Sequence, residues 1–223
     1  MIPLRSTQRT NSAAVATGVL IALNVLIFLY QFSMSTYGME LFVERWGIVP
    51  DAISGRLYTL FTSMFLHGGW MHLLGNMLFL WVYGRNVEDL IGSGKFVGFY
   101  LLCGLAAAVV QVAANPYSRI PTIGASGAIA GVMGAYLIKF PRARIVTLIP
   151  IFIFVTTTEI PAWVMLIWWF VIQIFSGFGS LARADYTGGG VAWFAHIGGF
   201  VCGMLLVWMF APKVPQWRSW YEE

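Results

Sequence analysis

The chain has 223 residues, of which 59% are hydrophobic and 10% are charged, and its mean hydropathy is +0.77. Soluble domains are about one quarter charged, so this composition excludes a soluble protein and predicts an integral, multi-pass membrane protein. The net charge of +4 does not indicate nucleic-acid binding, because the basic residues are spread over loops. The two cysteines, Cys103 and Cys202, supply neither a disulfide framework nor a zinc site.

Six apolar stretches approach the ~20 residues that a helix needs to cross a bilayer. They predict transmembrane helices over residues 13–33, 70–90, 95–114, 124–140, 160–177 and 192–210. We expect the first to be an anchored helix, because it is longer than a signal-peptide core and no small-residue cleavage site follows it. The apolar residues 145–155 precede a polar break at 156–161, and we interpret them as a re-entrant or interfacial segment.

The basic residues predict the orientation of the chain. With six spans and a cytoplasmic N-terminus, nine of the 13 Lys and Arg residues fall on the inner side, as the positive-inside rule requires. These are Arg5, Arg9, Arg85, Lys95, Lys139, Arg142, Arg144, Lys213 and Arg218. The sequence thus predicts an all-α polytopic membrane protein with one membrane domain over 1–223 and short cytoplasmic tails at 1–12 and 211–223.

Polar side chains recur at the same place in alternate spans. Spans two, four and six all run inward, and their first turns contain His72 and Asn76, Ser126, and His196. Intramembrane polar groups are costly and usually face a partner or a water-filled cavity. His72 and Asn76 are four residues apart, which places them on one helical face. We therefore expect the four side chains to meet at one depth in the outer half of the bilayer.

The fourth span is short and rich in small residues. From Ser126 to Lys139 an α-helix is ~21 Å long, against ~30 Å of hydrocarbon, so Ser126 should lie below the outer surface. Its small residues are Gly124, Gly127, Ala128, Gly131, Gly134 and Ala135, and Gly199 and Gly203 form a similar face on span six. Such faces allow two helices to approach closely, which would bring His196 within reach of the Ser126 hydroxyl.

These residues could perform acyl transfer, which needs a nucleophile, a base and donors to an oxyanion. At a helix start, unpaired backbone N–H groups of Ser126 and its neighbours would point at a developing anion. Structural alternatives exist for each residue. One is that Ser126 bonds back to a carbonyl one turn earlier, and another is that His72 and Asn76 only link helices through hydrogen bonds.

Three motifs on alternate spans resemble those of the rhomboid family of intramembrane serine proteases. They are His72-x-x-x-Asn76, Gly124-Ala-Ser126-Gly127 and Ala195-His196-x-x-Gly199. The resemblance covers essentially the whole chain and implies a six-transmembrane-helix rhomboid-like bundle with a short central serine-bearing helix. It also implies a serine endopeptidase without a cofactor or metal. Its substrates would be single-span membrane proteins, cut within or near the outer part of their transmembrane helix, and its location a prokaryotic inner membrane.

By the same resemblance, Ser126 is the nucleophile and His196 is its general base. His72, Asn76 and the backbone N–H of Ser126 would form the oxyanion hole. None of the nine acidic residues lies on span four or at the start of span six, so the catalytic unit is a dyad. We expect packing or a backbone carbonyl to hold the imidazole. Some family members place an aromatic ring against the base at the position of Ala130.

Other classes of protein remain as alternatives. A small transporter would also bury polar residues at mid-depth, but it should show repeat symmetry, and the sequence shows none. An inactive rhomboid-like scaffold that binds membrane clients typically lacks the serine or the histidine, whereas this chain has both. There is no His-Glu-x-x-His zinc motif, and Asp185 has no intramembrane aspartate partner.

Overall fold

The computed structural model describes residues 2–151, 154–182 and 191–212. Its helices are α1 (Val15–Phe32), α2 (Thr36–Trp46), α3 (Thr59–Thr62), α4 (Trp70–Phe79), α5 (Arg85–Ile91), α6 (Ser93–Ala114), α7 (Ser126–Lys139), α8 (Ala162–Ala182) and α9 (Trp193–Phe210). A π-helical segment, Leu80–Gly84, joins α4 to α5 without a break. Most of the predicted C-terminal tail, residues 213–223, lies outside the described residues.

A helix lies at each of the six stretches that the sequence predicts as spans. Within the described residues, four helices are long and apolar enough to cross a membrane, namely α1, α6, α8 and α9. The fourth predicted span is the shorter apolar helix α7, which has 14 residues. The second is the continuous rod formed by α4, the π-helical segment and α5. The chain is therefore a mainly helical, polytopic integral membrane protein.

The prediction that the chain is all-α is wrong at one end of the bundle. There, β1 (Ile2–Ser6), β2 (Arg144–Ile151) and β3 (Phe154–Pro161) form an antiparallel sheet in the order β1-β2-β3. Of the apolar residues 145–155, those that the structure describes lie in β2 and β3, and β1 comes from the predicted N-terminal tail. β-branched Val, Ile and Thr residues dominate both hairpin strands, and their restricted χ1 favours the extended chain.

Helix α7 lies at the centre of the molecule. Every residue from Gly127 to Tyr136 is buried. The hydroxyl groups of Tyr136 and Ser6 are 2.6 Å apart, so a buried hydrogen bond joins the last turns of α7 to strand β1. Because α7 is fixed in this way, the serine at its first residue has a defined position relative to the surrounding helices.

Glycines allow α7 and α9 to pack backbone against backbone. A Cβ atom on Gly199 would overlap the carbonyl oxygen of Gly127, and one on Gly203 would overlap that of Gly131. Side chains at these positions would hold the two helices farther apart. This close approach brings the first residue of α7, Ser126, near the first turn of α9, which contains His196.

We expect Gly203→Ala to destabilise the protein by about 1–3 kcal/mol or more, because the added methyl group meets the rigid backbone of α7. The measurement is the unfolding temperature of the purified protein in detergent. Gly98→Ala in α6 is the matched control, since its Cβ would have no neighbour within 4 Å. The control should retain or slightly raise the unfolding temperature, as Ala favours helix over Gly by about 1 kcal/mol. Equal unfolding temperatures for the two variants would contradict the close contact.

Candidate active site

The hydroxyl of Ser126 and the imidazole of His196 lie within hydrogen-bonding distance. Ser126 Oγ is 2.8 Å from His196 Nε2. Ser126 is partly exposed, whereas only 9% of the surface of His196 is accessible. At this distance the Ser126 O–H donates to Nε2 when that nitrogen is unprotonated. A base placed in this way against a hydroxyl group can remove its proton as the oxygen attacks an electrophile.

Ser126 is the first residue of α7, so it lies beside the unpaired backbone N–H groups of that helix. The first N–H groups of a helix have no acceptor within the helix, and the helix dipole makes this end favourable for negative charge. In α7 the first bond from this turn is donated by Ile129 to the carbonyl of Ala125. The backbone N–H groups of Ser126, Gly127 and Ala128 therefore have no acceptor within the helix, and such a helix start favours a bound anion.

His72 and Asn76, on α4, lie against the backbone that leads into Ser126. A Cβ built on Gly124 would be 2.6 Å from His72 Nε2 and 3.7 Å from Asn76 Nδ2. Gly124 has φ +123°, a conformation that glycine adopts far more readily than other residues. The structure thus places Ser126 in contact with His196, and His72 and Asn76 against Gly124, two residues before Ser126.

His67, in the turn before α4, contacts the side chain of Asn76. Its side chain is fully buried, and its Nε2 is 3.0 Å from Asn76 Nδ2. Its backbone exchanges two hydrogen bonds with the amide of Gln31, which accepts from the N–H and donates to the C=O. Burial, with a smaller contribution from His72, lowers the pKa of His67 to about 3, so its ring is neutral at physiological pH.

The structure also places a residue beside His196 that the sequence analysis did not assign. Gln173 Oε1, on α8, is 2.7 Å from His196 Nδ1, and the indole of Trp169 packs against the imidazole with 5.6 Å between ring centroids. The expectation that packing or a backbone carbonyl holds the ring is therefore incomplete, because Trp169 packs against it and a side-chain amide contacts it as well. A polar residue inside the apolar fifth span was the signal that could have identified Gln173.

A small cavity of about 30 Å³ opens beside Ser126. Its walls come mainly from small residues and backbone, among them Gly104, Ala107, Gly127 and Ala128. Such a volume accommodates one or two water molecules or a small side-chain group.

The comparison with protein families identifies the class of protein. The model of the Rhomboid domain matches residues 54–213, which include every residue of the site described above except Gln31. The chain belongs to the rhomboid family. The resemblance inferred from the three sequence motifs is thereby confirmed.

Several curated proteins are similar to this chain. Rhomboid protein 1, mitochondrial, of Saccharomyces cerevisiae is 26% identical over 207 residues, which are 88% of this chain and 56% of the yeast protein. Rhomboid protease GluP of Bacillus subtilis is 36% identical over 140 residues, which are 58% of this chain and 27% of GluP. RHOMBOID-like protein 5 of Arabidopsis thaliana is 30% identical over 152 residues, 68% of this chain and 43% of that protein. The chain thus matches between about one quarter and just over half of the length of these relatives.

Proposed function

We propose that this protein is an intramembrane serine endopeptidase that uses Ser126 as nucleophile and His196 as general base. The observation that carries the proposal is the distance of 2.8 Å between Ser126 Oγ and His196 Nε2 at the start of a buried helix. Membership of the rhomboid family, and the name of the Bacillus subtilis relative as a protease, support the same activity.

The proposed reaction has two halves. Ser126 Oγ attacks the carbonyl carbon of the scissile bond while its proton passes to His196 Nε2. The oxyanion accepts hydrogen bonds from the Ser126 N–H, Asn76 and His72. The C–N bond then breaks, and the imidazolium returns the proton to the leaving amine. In the second half, water attacks the acyl group with His196 again as base, which releases the new carboxyl terminus and restores Ser126.

The proposed substrates are single-span membrane proteins, cut within or near the outer part of their helix. In a regular transmembrane helix the carbonyl of the scissile bond is already hydrogen-bonded and shielded by side chains. Unwinding it in hydrocarbon leaves polar groups unpaired at several kcal/mol each, whereas a polar site offers them partners. A helix weakened by Gly or Pro is therefore the better substrate. The cavity of about 30 Å³ favours a small residue, such as Ala, before the cut bond.

The proposed topology follows the loop charges. All six helical stretches would cross the membrane, with the N-terminus and the sheet on the cytoplasmic side and Ser126 nearer the outer surface. The single membrane domain over 1–223 and its location in a prokaryotic inner membrane belong to the same proposal.

The direct test is covalent labelling of the purified protein by a fluorophosphonate probe, which reacts with activated serines. We expect one labelled site, mapped by mass spectrometry to Ser126 and lost in Ser126→Ala. Cleavage of a single-span reporter in liposomes should occur under the same conditions. An unlabelled and inactive wild-type protein would contradict the proposal and favour an inactive scaffold that binds membrane clients.

A further inference from the structure

The amide of Gln173 is held in one orientation between α8 and α9. Its Nε2 donates to the carbonyl oxygen of Trp169, one turn earlier in α8, at 3.2 Å. The other end of the amide, Oε1, then faces His196 Nδ1 at 2.7 Å. Gln173 is 4% exposed, so water hardly competes for either bond. Because the carbonyl of Trp169 can only accept, the amide nitrogen must point toward it and the oxygen toward the imidazole.

This orientation determines where the proton of His196 resides. Oε1 can only accept a hydrogen bond, so Nδ1 must be the protonated nitrogen of the neutral ring. Nε2 is then unprotonated and turns its lone pair toward the hydroxyl of Ser126, 2.8 Å away. The opposite tautomer would place two acceptors against each other at Nδ1, and its Nε2–H would donate to Ser126 Oγ, leaving no lone pair to take the hydroxyl proton.

We propose that Gln173 is the positioning residue of the catalytic base and that the working unit is the chain Ser126–His196–Gln173. This inference rests on the proposed peptidase function. Gln173 does the part that a carboxylate does in serine hydrolases with a triad, fixing the tautomer and the plane of the imidazole. It does so as a neutral group, which avoids burying a charge in an apolar helix bundle.

Other residues around the imidazole explain why the amide is needed. The residue one turn after the nucleophile is Ala130, whose methyl group cannot hold a ring by stacking. The indole of Trp169 lies beside the imidazole at an interplanar angle of 37°, which limits its tilt but provides no acceptor for Nδ1–H. Gln173 and Trp169 are four residues apart on α8, so both the acceptor and the packing surface come from one face of that helix.

The experiment reads the tautomer directly, without reference to activity. The chain has three histidines, so the full-length protein labelled with ¹⁵N-histidine gives few imidazole signals, and His196→Asn identifies those of His196. We expect the proton on Nδ1 in the wild-type protein. Gln173→Met, close in size but without an acceptor, should give a mixture of tautomers. Gln173→Glu should retain the Nδ1 proton, since a neutral carboxyl group can accept from His196 and donate to Trp169.

Kinetics supply the second readout. Gln173→Met should lower kcat up to about 100-fold with little change in KM, the effect of misplacing a base without altering substrate binding. Gln173→Glu should restore most of kcat. Gln111→Met is the matched control for the tautomer, because Gln111 also bonds to α9, through the N–H of Ala195, but makes no bond to the imidazole. It should leave the Nδ1 proton of His196 in place.

Two results would overturn the inference. One is a wild-type His196 with its proton on Nε2. The other is a Gln173→Met protein that keeps both the Nδ1 proton and the wild-type kcat. If Gln173→Met does not fold, the position of the His196 proton in the wild-type protein and in Gln173→Glu still tests the inference. Failure of the proposed function is a separate result, since it is detected by the absence of probe labelling at Ser126, whichever tautomer His196 adopts.

Discussion

Ser126→Ala and His196→Ala should each reduce cleavage of a transmembrane substrate by a factor on the order of a million, to the background rate. In the proposed mechanism Ser126 supplies the attacking oxygen, and in the described part of the chain no other hydroxyl is hydrogen-bonded to His196 Nε2. Without His196 the proton of that oxygen has no acceptor as the bond to carbon forms. The measurement is the initial rate of cleavage of a single-span reporter in liposomes.

The double variant distinguishes a catalytic unit from two independent contributions. Residues that act as one unit are not additive, so the double variant should be no slower than either single variant. Ser33→Ala is the matched control, because Ser33 lies in the exposed turn after α1 and its hydroxyl donates to the carbonyl of Tyr30. It should cleave at the wild-type rate. A folded His196→Ala protein that cleaves the reporter nearly as fast as the wild type would contradict the assignment of Ser126 and His196 as a catalytic dyad.

The sequence predicts the helices well because hydrocarbon imposes a single requirement on a spanning segment. Every backbone group must be paired within the helix, so a long apolar run leaves little choice of structure. The fourth and sixth predicted spans, 124–140 and 192–210, end within two residues of α7 and α9. Polar side chains are conspicuous in such segments, which is why Ser126 and His196 could be selected before their distance was known.

The sheet could not be predicted from hydropathy. The apolar residues 145–155 satisfy a hydrophobicity criterion equally well as helix or as strand, since a short run does not reveal its period. What selects the strand is pairing with β1 more than 130 residues earlier, for example Ile2 with Leu148 and Ser6 with Ile145. Such a partner is not contained in the local sequence, and β-propensity depends strongly on such context.

The contact between Gln173 and His196 was unpredictable for a different reason. The two residues are 23 positions apart and lie on neighbouring helices, so their contact depends on how α8 is rotated about its own axis. Composition and spacing place Gln173 inside a span but do not show which face of that helix meets α9. Phe170 stacks on Phe200 with 4.6 Å between centroids and helps to set this rotation, a packing effect that only the folded structure reveals.

The second large effect is expected at the oxyanion donors. Asn76→Ala should lower kcat by a factor of about 10²–10³, or about 2.7–4 kcal/mol in the transition state, with little change in KM. His72→Ala should behave in the same way. In the proposed mechanism each donor acts only when charge develops on the substrate oxygen, so its loss should slow turnover without weakening substrate binding. Both variants should remain less impaired than Ser126→Ala, because the N–H of Ser126 still stabilises the oxyanion.

The competing explanation is that His72 and Asn76 merely connect helices, and stability measurements separate the two. Asn24→Ala is the matched control: Asn24 is a fully buried asparagine of α1, and its amide donates to the carbonyl of Leu20. If catalysis is the role of Asn76, Asn24→Ala keeps its activity while Asn76→Ala loses activity at a similar unfolding temperature. If Asn76 and His72 are structural, their variants unfold at lower temperature but the folded fraction cleaves at the wild-type rate. The deciding quantity is thus the turnover per correctly folded molecule, obtained by dividing the initial rate by the fraction that remains folded.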